Sequence, residues 1–200
     1  MPSGKRLDLL DPTPFDWDDQ DLALGLARTY RWGGHSAWPL PLSVAQHSLS
    51  VLAIRSQEPG PALDPARALR ELLHDADEGL LGFDAISPLK PFLGAGFAAL
   101  AGRLRDAIWR RYQLPPWTTS EQAQHKKADR LAAASEAEHV VGWSAAEVRS
   151  SLGIAAKALA RDPTPRPAGM KAWEPWTPHV AADRFLAELE RLQAGLPSRT

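Results

Sequence analysis

The stretch ELLHDADEGL, residues 71–80, sets His74 and Asp75 side by side after two leucines, with Glu78 three positions beyond. Ionisable groups this close together on an apolar face need something that neutralises them if they are buried. A divalent cation would do so. His47, on the apolar side of SVAQHSLSV, and Asp129, in HKKADRLAAA, are the candidates to join His74 and Asp75 around one ion. The chain has no cysteine, so any metal must be held by imidazole and carboxylate. Two imidazoles and two carboxylates suit one borderline divalent ion: Mn, Fe, Co, Ni or Zn. With coordination positions left open, such an ion would polarise a phosphorus centre and sharpen a water for attack on it.

The elements that must carry these residues read as helices. Over residues 18–30, Leu22, Leu26 and Tyr30 recur at helical spacing behind acids that suit the helix dipole. RWGGHSAWPLPL then breaks the pattern with two glycines and two prolines, leaving a loop rich in ligand-binding types: Arg31, Trp32, His35 and Trp38. Ser43 caps a helix with Val44, His47 and Val51 on one face. Asp64 and Pro65 open what reads as one helix to residue 80, on which His74 and Glu78 share a face and Asp75 lies one position round. Leu69, Leu72 and Leu73 are its core candidates.

Another helix spans about 97–112. Thr119 with Gln122 and Ser144 with Glu147 read as capping boxes for helices over 120–141 and 144–160. A proline-rich connector, RDPTPRPAGMKAWEPWTP, precedes a closing amphipathic helix, and its two tryptophans suit a cover over the site or a subunit interface. Strand signals are scarce. The expectation is an all-α helical bundle.

Two hundred residues with 44% hydrophobic and 24% charged composition suit a single domain spanning 1–200. The motif-bearing core covers about 15–140, with a C-terminal helical extension over about 141–200. A net charge of −1 gives no support for a nucleic-acid polymer as partner, and the basic run RLRDAIWRRY reads as a solvated helix face. No apolar run approaches the roughly 18–20 residues of a membrane span, and charges interrupt any signal-peptide pattern in MPSGKRLDLLDPTPFDW. The expectation is a soluble, cytoplasmic protein with no membrane partner.

His47, the pair His74-Asp75 and the distant Asp129 resemble the H…HD…D signature of the HD-domain metal-dependent phosphohydrolases. The blocks FDWDDQDLALGLARTYRWGGHS, SVAQHSLSV, LLHDADEGLLGFDAISPLK and KKADRLAAASEAEHV resemble a subgroup that includes bacterial 5′-deoxynucleotidases and phage dATP triphosphohydrolases. The resemblance implies an HD-domain bundle with His47, His74, Asp75 and Asp129 as ligands of one divalent ion. It further implies Glu78 as the carboxylate that orients or deprotonates the attacking water, with Asp84 as a second catalytic acid. Arg31 and Trp32 match an Arg-aromatic pair that meets the nucleotide, where a guanidinium pairs with phosphate and an indole offers a stacking face. Lys90 either meets a phosphate or caps its loop, and His35 is a substrate or supporting group.

GFDAISPLK is one residue longer than the subgroup's usual GDIPSPLK, with Ile86 in place of a proline. Gly79 after Glu78 departs from the HDxxED form of the alarmone hydrolases. The implied activity is deoxynucleotide hydrolysis, leaning to a dATP-like dNTP triphosphohydrolase because the opening block looks like the phage-type members. A 5′-deoxynucleotidase acting on dNMPs is the alternative, and a non-catalytic nucleotide-sensing module the alternative from another class. Relatives of this kind often pair, so a homodimer is compatible. His125, four before Asp129, lacks partners for a second metal site, and His139 and His179 read as ordinary residues.

Overall fold

Helix starts in this chain are written largely in its caps. Ser43 Oγ accepts from the Gln46 N–H, Asp64 from that of Arg67 and Ser144 from that of Glu147, and each opens a helix where the sequence places one. The computed structural model describes residues 1–86 and 89–197. Within them the chain is all-α: α1 (Asp19–Arg28), α2 (Val44–Ser56), α3 (Pro65–Leu72), α4 (Ala76–Leu81), α5 (Lys90–Tyr112), α6 (Thr119–Glu136), α7 (Ala145–Leu152) and α8 (Pro178–Ala194). An isolated antiparallel bridge, Tyr30 to Ser43, closes the loop between α1 and α2. Ser87 and Pro88 of the GFDAISPLK segment lie outside the described residues.

Several boundaries differ from the sequence reading, and α5 begins at Lys90, well before the expected start near 97, with a kink at Gly94 (φ 76°) inside it. The box before α6 is Thr118 with Glu121, one residue early, because the Glu121 carboxylate accepts from both the Thr118 N–H and its hydroxyl, and a charged acceptor outcompetes the Gln122 amide. Helix α7 stops at Gly153, whose φ of 62° is left-handed, and does not continue to residue 160. The stretch 65–80 is not one helix. It breaks at Leu73–Asp75, and α4 restarts with Asp75 in the cap position.

The core is built chiefly from α1, α2, α3 and α8, around fully buried Trp17, Leu22, Leu26, Leu69, Leu72, Phe185 and Leu189. Burying each side chain of this size contributes about 1.5–3 kcal/mol. Helix α8 packs on α1, α2 and α3, so it is part of this core. Trp173 and Trp176 are also buried within the chain: the Gln46 side chain accepts from the Trp176 N–H (2.8 Å) and donates to the Glu174 carbonyl (3.2 Å). Trp176 packs in the core and Trp173 stacks on His139, and neither lines the site. No helix among the described residues is long and apolar enough to cross a membrane.

Helices α1 and α4 approach closely at two glycines. A Cβ on Gly25 would lie 2.3 Å from the Gly79 carbonyl oxygen, and one on Gly79 would lie 2.5 Å from Leu26 Cγ. This contact gives Gly79 its physical reason beside Glu78. Gly25→Ala gains up to about 1 kcal/mol of helix propensity, but the backbone oxygen it meets cannot rotate away. The expected net result is a loss of about 1–3 kcal/mol in chemical denaturation; unchanged or higher stability would refute the packing argument.

Candidate metal centre

Three segments converge beneath one face of the bundle. Helix α2 contributes His47, wholly buried; the α3–α4 junction contributes His74 and Asp75; α6 contributes Asp129 and, seven residues on and so on the same face, Glu136. The junction is what makes His74 and Asp75 usable together. Successive side chains on a continuous helix point about 100° apart. Where the helix breaks, His74 Nε2 lies 3.1 Å from Asp75 Oδ2.

His47, His74 and Asp75 form a group able to hold a metal ion, each offering one ligand atom within 4.8 Å of the others. His47 Nε2 is 3.7 Å from Asp75 Oδ2 and 3.3 Å from Asp129 Oδ1. Whether the residues fit an ion is answered by the imidazoles. Their Nδ1 atoms are already engaged, His47 with Glu136 Oε1 at 2.6 Å and His74 with the Glu71 carbonyl at 2.8 Å. Their Nε2 atoms are buried and make no hydrogen bond. A ligating histidine has this arrangement, one nitrogen fixed by a carboxylate or carbonyl and the other free to bind.

The electrostatics point the same way. Burial and Arg31 oppose charge on His47, yet Glu136 and Asp129 outweigh them and hold its pKa at about 9. Burial also opposes charge on His74, which Asp75 nonetheless pushes upward. Asp129 sits far below the carboxylate range, because His47, His74 and Arg31 overcome its burial. Glu136 is held at about 2 against its burial by His47 and Arg31. The surrounding carboxylates favour positive charge at the imidazoles. Because His47 must shed its Nε2 proton to bind a metal ion, ion uptake at pH 7 is expected to release protons, with affinity rising as pH climbs toward 9. Calorimetric titration in buffers of different ionisation enthalpy reads this directly; a pH-independent affinity without proton release would exclude His47 as a ligand.

Above this group lies a cavity of about 560 Å³. Asp75, Glu78, Asp84 and Asp129 bring carboxylates to its wall, Arg31 and Lys90 bring cations, and Trp32 and His35 complete the candidates that line it. His47 and His74 are not on that wall; they lie buried behind it. Glu78 Oε2 is buried without a partner, and its Oε1 is 3.8 Å from Lys90 Nζ. Burial, then Asp75 and Asp84, push Glu78 up to about 9, and burial raises Asp84 as well. Arg31 and Trp32 sit on a strained turn: Trp32 has φ 59°, an uncommon left-handed conformation for a large residue that costs on the order of 1–3 kcal/mol. The Tyr30–Ser43 bridge, the Arg31 N–H to Leu42 carbonyl bond (2.9 Å) and left-handed Gly33 and Gly34 hold it there.

Several residues were not singled out from sequence. Glu136 accepts from His47, from Arg31 Nε (3.0 Å) and from Trp32 Nε1 (3.3 Å). Its signal was its spacing, two helical turns after Asp129 in an alanine-rich helix. The buried Glu71 carboxylate accepts from Arg55 (2.8 Å) and pairs with His125 Nδ1 (2.7 Å), so His125 braces the ground behind His74. Trp143, Leu152 and Ile154 close the cavity's apolar end, with Trp143 edge-on to Trp32 at 5.6 Å. Their approach depends on tertiary structure and left no local mark.

An uncharacterized protein of Rhodobacter capsulatus is 41% identical to this chain over 154 residues, covering 76% of this chain and 78% of that protein. The chain belongs to that protein's family. An overlap of this length within 200 residues necessarily spans the α3–α4 junction and α6. No model of a known protein family matches the chain.

Proposed function

We propose that this protein is a metal-dependent phosphohydrolase of the HD type that cleaves deoxynucleotides at the phosphorus bonded to the 5′ oxygen. The observation carrying the proposal is the pair of buried imidazoles with engaged Nδ1 and free Nε2, facing Asp75 and Asp129 at the foot of a cavity that also holds Glu78, Arg31 and Trp32. His47, His74, Asp75 and Asp129 would hold one divalent ion from the Mn, Fe, Co, Ni and Zn group, and that ion would supply Lewis acidity toward a phosphate oxygen and a water.

The chain's own residues do the rest. Glu78 presents an unpartnered carboxylate oxygen that can hold the attacking water, and an ion held by Asp75 would offset the negative charge that keeps Glu78 protonated, freeing it to take the water's proton. Arg31, fixed through Nε by Glu136 and with Nη1 3.8 Å from Asp75, lines the cavity, where its guanidinium can meet a phosphate and offset charge that grows in the transition state. Trp32 is anchored by its indole N–H, which leaves its ring face for a base. Asp84 shares the wall with Glu78 and raises its basicity.

The likeness of the opening block to phage-type members makes a dNTP the leading substrate, with inorganic triphosphate as product. A dNMP is the second reading. It is favoured by the cavity's cations, which among the described residues are Arg31, Lys90 and Arg130, with Arg31 paired to Glu136 and Arg130 donating to the Gly153 carbonyl. The test is product analysis with Mn²⁺ or Co²⁺ over a panel of dNMPs, dNTPs and ribonucleotides. Nucleoside plus triphosphate from a dNTP is the expected result. Nucleoside plus orthophosphate from dNMPs alone assigns a 5′-deoxynucleotidase. Bound metal and nucleotide-induced stabilisation without turnover would overturn the enzyme reading in favour of a sensor.

A further inference from the structure

Beside the ligand set and Glu78, a further buried carboxylate, Glu136, stands in direct contact with the centre. Glu136 closes α6 with its side chain only 2% exposed, and three donors meet it from two other segments. Its Oε1 faces His47 Nδ1 at 2.6 Å; its Oε2 accepts from Arg31 Nε at 3.0 Å and Trp32 Nε1 at 3.3 Å. We propose that Glu136 is a positioning residue that ties ion binding at His47 to the set of the Arg31–Trp32 arm, so that the arm takes its substrate-ready position when the ion is held. The inference rests on His47 being a metal ligand.

The hydrogen-bond chemistry requires a carboxylate here. All three partners can donate, and only a group with two acceptor oxygens serves them together. An amide in the same space fails in either orientation. With its oxygen toward His47, its NH₂ group opposes two N–H donors and the arm loses its anchor. With its NH₂ group toward His47, Nδ1 must accept, and the ring proton moves to Nε2, the atom facing Asp75 and Asp129. The arm needs such an anchor because Trp32 sits in a left-handed conformation that a large side chain does not keep unaided. The two sites are therefore joined by one rigid group: a shift of His47 toward an ion pulls on Oε1, and Oε2 carries the change to Arg31 and Trp32.

The experiment uses Zn²⁺ alone as probe, with calorimetry for affinity and ¹⁵N NMR for the indole N–H of Trp32, assigned by its disappearance in Trp32→Phe. In the unsubstituted protein the Trp32 resonance should move in step with ion uptake. Glu136→Gln should bind zinc about 10–100-fold more weakly, and its Trp32 resonance should no longer follow the ion. Glu136→Asp keeps the charge on a shorter arm and should fall between the two. Unsubstituted protein that takes up no zinc overturns the metal reading and this inference together. Protein that binds zinc while Trp32 stays unmoved overturns the inference alone, and needs no variant to fold. Glu136→Gln that binds as tightly, with Trp32 still tracking the ion, does the same.

Discussion

Asp75→Ala is expected to cost the protein both its metal and its turnover. Asp75 Oδ2 is the hub of the centre, 3.1 Å from His74 Nε2, 3.7 Å from His47 Nε2 and 3.8 Å from Arg31 Nη1. Burial works against its charge, but His74, His47 and Arg31 keep it ionised far below the usual carboxylate range. Alanine leaves two imidazoles and one carboxylate, spread over α2, the α3–α4 junction and α6, with nothing between them. Loss of a group supporting a ligand costs about 10–100-fold in affinity, so loss of the ligand itself should exceed about 100-fold. Metal content after dialysis and calorimetry measure the first effect, and phosphate release the second. Helical circular dichroism should be retained, because Asp75 stands at the N-cap of only the six-residue α4 and its side chain makes no cap hydrogen bond there. Full metal occupancy with full turnover would remove Asp75 from the centre.

What the sequence tells about this site, and what it hides, divides along a physical line. Ligand types, their order and the cap residues are local, and Ser43, Asp64 and Ser144 cap helices where their spacing predicts them. The junction between α3 and α4 is different. ARALRELLHDADEGL carries no proline and no glycine before Gly79, and its periodicity fits one helix through the break. The break is a tertiary choice: Leu73 stays in the core while His74 and Asp75 turn together toward His47. Glu136 lies between these extremes. Its heptad spacing from Asp129 is legible, but an acid in an alanine-rich helix has many solvent-facing explanations, and only the arrival of His47, Arg31 and Trp32 from other segments removes them. The apolar end of the cavity is wholly a product of assembly, since Trp143 and Trp32 stand 111 positions apart in the chain.

Glu78→Gln separates catalysis from metal binding. The substitution keeps shape and removes the ability to take a proton. If Glu78 accepts the proton of the attacking water, kcat should fall by about 10²–10⁴-fold, while metal affinity changes little, because Glu78 is not among the atoms that close on His47, His74 and Asp75. A variant that turns over normally rejects the role, and one that loses its metal makes Glu78 a ligand instead. Stability gives an independent check before any ion is added. Burial, Asp75 and Asp84 hold Glu78 protonated up to about 9 in the folded chain, against an ordinary value of 4.5. The folded form therefore binds an extra proton between those values, and stability falls as pH rises through that window. Glutamine has no proton to lose, so the variant should lose less stability than the parent between pH 5 and 9, as read from denaturation midpoints at a series of pH values. An inactive protein that holds its metal and resists high pH better than its parent cannot be inactive through misfolding. That combination assigns the lost activity to the carboxylate itself.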